Sequence, residues 1–486
     1  MGFIRYTKDV KNKQKRIRRG IMERRKRILA VVLAATLLGG TLAGCGGQGG
    51  DTSKDTGSTQ GTQESKGETG GSSSGEKVSL TIMHMGTEEG IKNGDIESIM
   101  MHQVVENFKA KYPDVDLKEE IVGQEAGYET KIKTLAAANE IPDLAMLLPS
   151  MMSSFYENGQ ILDLAPILKE ESEWADTFAD GMFGDYTFGE QILGVPRCSI
   201  ANHVIYYNTE IFKECGMDSF PADEVEFKDA VQKLKEKGYI PLATGNKGKY
   251  AIASQVMPGI LMKFNESDWY DKVKNYDGAS FEDPDSVAAI KYMEELMQMG
   301  LFNENVNSLD PNQARQLYYD KKAAMYIEGS WSVSNLISEA PQEILDTTDM
   351  TIFPTVKGKE DLKNQIVGGQ GWGISISANV TDAQKAAAIN FLKEMSAPEI
   401  QTLLIEGGSL ATAKNIDYDE SKLNPFFAEF LEMYNSHDKI VGCPEVQLST
   451  AYMDASYVGY QEMSIGAINA EELAAKLQEA HESAKK

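Results

Sequence analysis

Apolar residues fall at alternate positions in Val78-Ser-Leu-Thr-Ile-Met83, the period of a half-buried strand. Ile96, Ile99, Met100, Val104, Val105 and Phe108 follow at three- and four-residue spacing, which draws one stripe along a helix. Tyr112-Pro113-Asp114 ends that helix, because proline lacks the N–H and clashes with the preceding turn. Val115, Leu117, Ile121 and Val122 predict a second strand, residues 128–138 a second helix, and residues 142–148 a short apolar third strand. That order predicts a parallel sheet covered on both faces. A second unit begins near Val204-Ile-Tyr-Tyr207. Its predicted helices lie at 226–237 and along Val287, Ile290, Met293, Leu296 and Met297, the latter with Asp285 as candidate cap. Strands at 323–327, 349–353 and 372–377 and helices at 382–395, 426–435 and 471–483 complete the pattern. The predicted fold class is α/β, as two lobes that exchange strands, each a mainly parallel sheet flanked by helices.

Upstream of Val78 the pattern changes. The basic run KNKQKRIRRGIMERRKR leads into apolar residues 28–38 and then Gly39-Gly40-Thr-Leu42-Ala43-Gly44-Cys45, the layout of a secretory signal. The apolar run is short for a ~30 Å hydrocarbon layer, which argues against a membrane-spanning helix. Met22 would give a shorter signal than Met1. Leu42-Ala43-Gly44-Cys45 resembles a bacterial lipobox, which implies residues 1–44 as signal peptide and Cys45 as a lipidated first residue on the outer face of a cell membrane. Residues 46–76 hold no aromatic or large aliphatic residue, so together with Cys45 they form a tether of residues 45–76 that cannot bury a core. The basic start and the Gly/Ser/Thr tether fit a Gram-positive surface.

Charge and chemistry narrow the function. The formal charge is −25, yet residues 1–28 hold twelve Lys/Arg against two Asp/Glu. The body beyond them is strongly acidic and repels phosphate backbones, so no nucleic-acid partner is expected. With Cys45 set aside, Cys198, Cys215 and Cys443 allow at most one intrachain disulfide, and no spacing suggests a zinc site. The five histidines form no HExxH, and Gly407-Gly-Ser409-Leu-Ala411 lacks the final glycine of a nucleophile elbow. Gly368-Gly-Gln-Gly-Trp-Gly373 precedes a strand rather than a helix, so it suits close backbone approach rather than phosphate binding. No catalytic residue, metal or cofactor is expected.

Several runs in fixed order then become legible: Ile141-Pro-Asp-Leu-Ala-Met146, Gly159-Gln-Ile-Leu-Asp-Leu164, Gly194-Val-Pro196, Val204-Ile-Tyr-Tyr-Asn208, Lys322-Ala-Ala-Met-Tyr-Ile-Glu-Gly-Ser-Trp331 and Trp372-Gly-Ile-Ser375. Together they resemble the family 1 extracellular solute-binding proteins of bacterial ABC importers, over roughly residues 78–483. The resemblance implies a clamp of two lobes, 78–200 plus 350–410 and 201–349 plus 411–486, with hinge crossings near 198–201, 349–353 and 409–413. It also implies a monomer that hands a small solute, a mono- or oligosaccharide, to membrane permease subunits. A receptor for an oligopeptide, polyamine or glycerol phosphodiester, a surface glycosidase and a sensory co-receptor are the alternatives.

The same resemblance proposes ligand-binding residues. Gly329-Ser-Trp331 matches a run that supplies a stacking aromatic in maltose-binding relatives, and Tyr250 falls at a ligand-stacking tyrosine. Trp372 and Tyr452 are further aromatic candidates. Ser150, Asn202 and Glu88 are the polar candidates, with Ser150 and Glu88 replacing an aspartate and a lysine of the relative. A sugar suits this set, because aromatic plates cover its C–H face while polar groups bond its hydroxyl rim. Asp143 is expected to be structural, and Glu328 to face solvent.

Overall fold

The computed structural model describes residues 77–123 and 125–485. The leader, Met22, Cys45 and the tether lie outside the described residues. In chain order the described strands are β1 (Val78–His84), β2 (Val115–Ile121), β3 (Leu144–Leu147), β4 (Thr187–Phe188), β5 (Gln191–Ile192), β6 (Val195–Pro196) and β7 (Ile200–Ala201). Then come β8 (Val204–Asn208), β9 (Ile240–Ala243), β10 (Ala323–Glu328), β11 (Thr348–Thr351), β12 (Gln365–Gly369), β13 (Gly373–Ile376) and β14 (Lys439–Val441).

The first lobe is built on a five-stranded sheet of order β2-β1-β3-β13-β6. β1 is parallel to β2 and β3, whereas β13 runs against both β3 and β6. Helix Ile96–Lys111 buries Met100, Val104 and Phe108, and Asp95 caps it by accepting from the Glu97 and Ser98 N–H groups. Asp143 is structural, as expected: its carboxylate accepts from the Thr81 N–H and hydroxyl at 2.8 and 2.9 Å, which ties β1 to the start of β3. β2 is an edge strand, and its alternate charged residues blunt that edge.

The second lobe carries a four-stranded sheet, β11-β8-β10-β9. Here β8 is antiparallel to both neighbours, while β9 and β10 are parallel. Each large sheet therefore contains one strand running against the rest, which agrees with the mainly parallel sheets that the sequence pattern predicts. The reason is topological: β8 and β13 lie where the chain enters from the other lobe, and such a strand need not follow a right-handed crossover helix.

A third sheet has the order β14-β12-β7. β12 is parallel to β14 and antiparallel to β7. Ser199 bridges to Leu410, which sets two of the expected crossings side by side. The third expected crossing, at 349–353, continues from β11 in the second sheet, and the chain enters the first sheet only with β13. The glycine run supplies close approach here. A Cβ at Gly368 would lie 2.4 Å from the Ile200 carbonyl oxygen, and one at Gly369 would lie 2.1 Å from the Asp185 carboxylate.

Most expected elements lie within a few residues of their predicted ends. The cap of helix Pro284–Gln298 differs: Asp283 precedes it, and Asp285 sits in the first turn, 2.7 Å from Lys359. Pro284 at the first helical position moves the start forward, since its fixed φ suits that position. Cys198, Cys215 and Cys443 are all buried free thiols. Among the described residues no helix is long and apolar enough to cross a membrane.

Candidate ligand cleft

The run leaving β10 is rigidly held. Glu328, expected to face solvent, is buried instead, because Arg315 stands 3.4 Å from its carboxylate and the Ser332 hydroxyl donates to it at 2.6 Å. The Tyr326 hydroxyl donates to the same oxygen. Tyr206 donates to the Gly329 carbonyl at 3.1 Å. Ser330 then exchanges two hydrogen bonds with Ala201 of β7, one from its N–H and one to its hydroxyl. Trp331 follows as the residue ahead of helix Ser332–Glu339. Its indole is half-buried and lies directly over Gly329, where a Cβ would come within 2.1 Å of the ring. The indole therefore follows a segment tied to β7 and is not enclosed in the core.

Tyr250 is also half-buried, at the start of a helical stretch directly after Lys249, which takes a left-handed φ of 69°. A Cβ on neighbouring Gly248 would touch the Tyr250 ring and stand 3.7 Å from Ala126. The backbone just before Tyr250 therefore comes close to helix Glu125–Ala137 at Ala126. Trp372 is buried in the β12–β13 connection and meets Tyr128 edge-on, with centroids 5.4 Å apart. Tyr128 in turn donates to the Met83 carbonyl and accepts from the Met146 N–H.

The remaining candidates are more deeply placed, apart from one. Ser150 is buried under helix Thr450–Ser464: its hydroxyl lies 3.3 Å from the Met453 sulfur, and its carbonyl accepts from Thr450. Asn202 is buried next to β7, with its N–H on the Val367 carbonyl and its amide 3.4 Å from the Ser254 hydroxyl. Tyr452 is buried and stacks on Phe281 at 4.8 Å. Glu88 is exposed in the first turn of helix Glu88–Lys92, 3.8 Å from Lys92. The first lobe's Ser150 thus meets the C-terminal segment that carries Tyr452, while Glu88 stands on an outer turn.

Sequence reasoning missed the polar groups that join the lobes. Buried Asp185 accepts from the Gln370 N–H at 2.8 Å and the Gln447 side chain at 2.5 Å, and burial raises its pKa. Gln447 accepts from Tyr270 and Lys274. Buried Glu129 and Glu445 both meet the Tyr457 hydroxyl. Burial raises Glu129 and pushes Glu445 up to about 7. Acidic residues are so common in this chain that no local signal separates these three carboxylates from surface ones. Among the described residues no group of three or more His, Cys, Asp or Glu is placed to hold a metal ion.

Two α/β lobes, a small linking sheet and polar groups converging from both sides define a two-lobed binding-protein clamp. Residues 103–422 match the bacterial extracellular solute-binding protein family, and the chain belongs to that family. An ABC transporter extracellular-binding protein of Pyrococcus horikoshii is 26% identical over 257 residues, 52% of this chain and 56% of that protein. The xylose/arabinose-binding protein of Haloferax volcanii is 25% identical over 298 residues, 59% of this chain and 61% of that one. The chain therefore spans little more than half the length of these curated relatives. A solved chitin oligosaccharide binding protein has a TM-score of 0.76 at 24% identity, covering 84% of this chain and 99% of that one. Maltose-bound T. maritima MalE3 has a TM-score of 0.67 at 19% identity, covering 84% and 99%.

Proposed function

We propose that this protein is the solute receptor of an ABC importer and that its solute is a mono- or oligosaccharide. The observation that carries this reading is Trp331, a half-buried indole held over Gly329 beside the hinge sheet. An aromatic plate fixed at a cleft suits the apolar face of a pyranose. Tyr250 follows Gly248, which lies close to Ala126 of helix Glu125–Ala137, and buried oxygen and amide groups supply partners for a hydroxyl rim. The sugar-binding proteins among its relatives support the same class. Trp331, Tyr250 and Trp372 act as aromatic surfaces in this reading, and Ser150 and Asn202 act as polar contacts reached when the lobes part. Tyr452 supports the cleft wall through its stack on Phe281.

In this reading the first lobe is the five-stranded sheet with helices Ile96–Lys111 and Asp382–Met395, and the second is the four-stranded sheet with the C-terminal helices. Closure is a hinge motion about β7 and its neighbours. Lipidation at Cys45 would hold the clamp on the outer face of the membrane, and the closed form would dock on permease subunits. A thermal-shift screen with sugars, peptides and polyamines tests the assignment, since a ligand that binds only the folded state raises Tm. A sugar should raise it. A shift with a peptide or polyamine and none with any sugar would replace the carbohydrate reading. Hydrolysis of a sugar in the same samples would replace the receptor reading with an enzyme.

A further inference from the structure

Glu129, Tyr457 and Glu445 meet where the lobes close. Glu129 stands on helix Glu125–Ala137, which packs on the first sheet through Tyr128. Tyr457 stands on helix Thr450–Ser464 and Glu445 on the short helix Pro444–Gln447 of the second lobe. The Tyr457 hydroxyl oxygen lies 3.1 Å from one Glu129 oxygen and 2.5 Å from one Glu445 oxygen. All three side chains are buried.

Counting protons gives a constraint. A phenol carries one O–H, and an ionised carboxylate only accepts. Tyr457 can therefore donate to one carboxylate, and the second oxygen within hydrogen-bond distance must bring a proton of its own. Without it, lone pairs face each other in a low-dielectric setting, which is costly. We propose that Glu129, Tyr457 and Glu445 form a proton-holding seam between the lobes, so that the empty clamp takes up one proton on closing and opens as the pH rises.

The surroundings place that proton on Glu445. Lys133 lies 3.7 Å from Glu129 and 3.0 Å from Asp454, and it favours the ionised form of Glu129. Glu445 adjoins the Ser254 hydroxyl and the Cys443 thiol, which burial keeps protonated. Burial pushes Glu445 up to about 7 from an ordinary 4.5. An acid with a higher pKa when closed favours closure fully below the open-state value, and this support fades as the pH rises through the closed-state value. The change in the open-to-closed ratio is on the order of a hundredfold. A bound solute that offers O–H or N–H donors would stand in for the proton. The inference rests on the clamp fold and not on the carbohydrate assignment.

The test uses the ligand-free full chain with dyes at Ile121→Cys and Val225→Cys, two exposed positions on different lobes. Intramolecular energy transfer should change between about pH 5.5 and about pH 8.5, from the closed level at the lower pH toward the open level at the higher. Glu445→Gln should abolish the change, because a neutral amide donates to Tyr457 at every pH. Glu129→Gln, a second variant should the first fold poorly, should flatten it as well. A pH-independent wild type, or a response unchanged in both variants, would overturn the seam.

Discussion

At the scale of single residues, the indole of Trp331 and the missing side chain of Gly329 act as one unit. The ring lies where a Cβ at 329 would stand, so only glycine lets it settle there. Trp331→Ala should cost about 2 kcal/mol of binding, roughly thirtyfold in Kd, while Tm changes little. Equilibrium titration beside a melting curve checks both parts. Unfolding with affinity retained would make the ring a core residue. Lys263 is a different case, since its buried ammonium donates to the Leu362, Lys363 and Gln365 carbonyls, each at 2.9 Å. Burial pulls its pKa down to about 7, but the three carbonyls reward the charge. Lys263→Met should leave those carbonyls unpaired and destabilise the protein by about 3 kcal/mol in urea denaturation.

Between elements, buried charge pairs hold strand and helix together. Arg315 on helix Pro311–Tyr319 reaches Glu328 at the end of β10 and Glu339 on helix Ser332–Glu339. Arg315→Ala would strand a buried carboxylate and should cost about 3 kcal/mol, read as a lower denaturation midpoint at unchanged slope. At the β1–β2 pair, His84 accepts the Gly86 N–H on Nδ1, which leaves its Nε2 proton for Glu119 at 3.4 Å. That hydrogen bond, with the Lys109 ammonium, holds Glu119 down to about 2 from an ordinary 4.5. A depressed acid contributes stability above its ordinary value and loses it as the pH falls toward the lowered one. Melting temperatures between pH 5 and about pH 2.5 should therefore fall less steeply in Glu119→Gln than in the wild type.

For the molecule as a whole, the proposed clamp would be tied by several chain passages rather than by one linker, which would restrict its motion to a hinge. A solute gripped by both lobes at a hundredfold excess over Kd should stabilise the closed form by about 2.7 kcal/mol, or about 3 °C for a body of this size. A calorimetric scan with the sugar identified by screening checks this value. Strand and helix positions were legible because apolar periodicity reports which face each element buries. The direction of β8 and β13 was not, since an apolar strand reads the same in a parallel or an antiparallel ladder.

What the sequence determined by itself is the α/β alternation, the family's ordered runs, and the pairing of Gly329 with Trp331, all of which are local or nearly so. What only the tertiary structure decided is which carboxylates are special. Glu328, Asp185, Glu129 and Glu445 resemble any other acidic residue along the chain, but folding buries them and sets partners beside them that are distant in sequence. Burial and pairing both depend on contacts that no local pattern encodes.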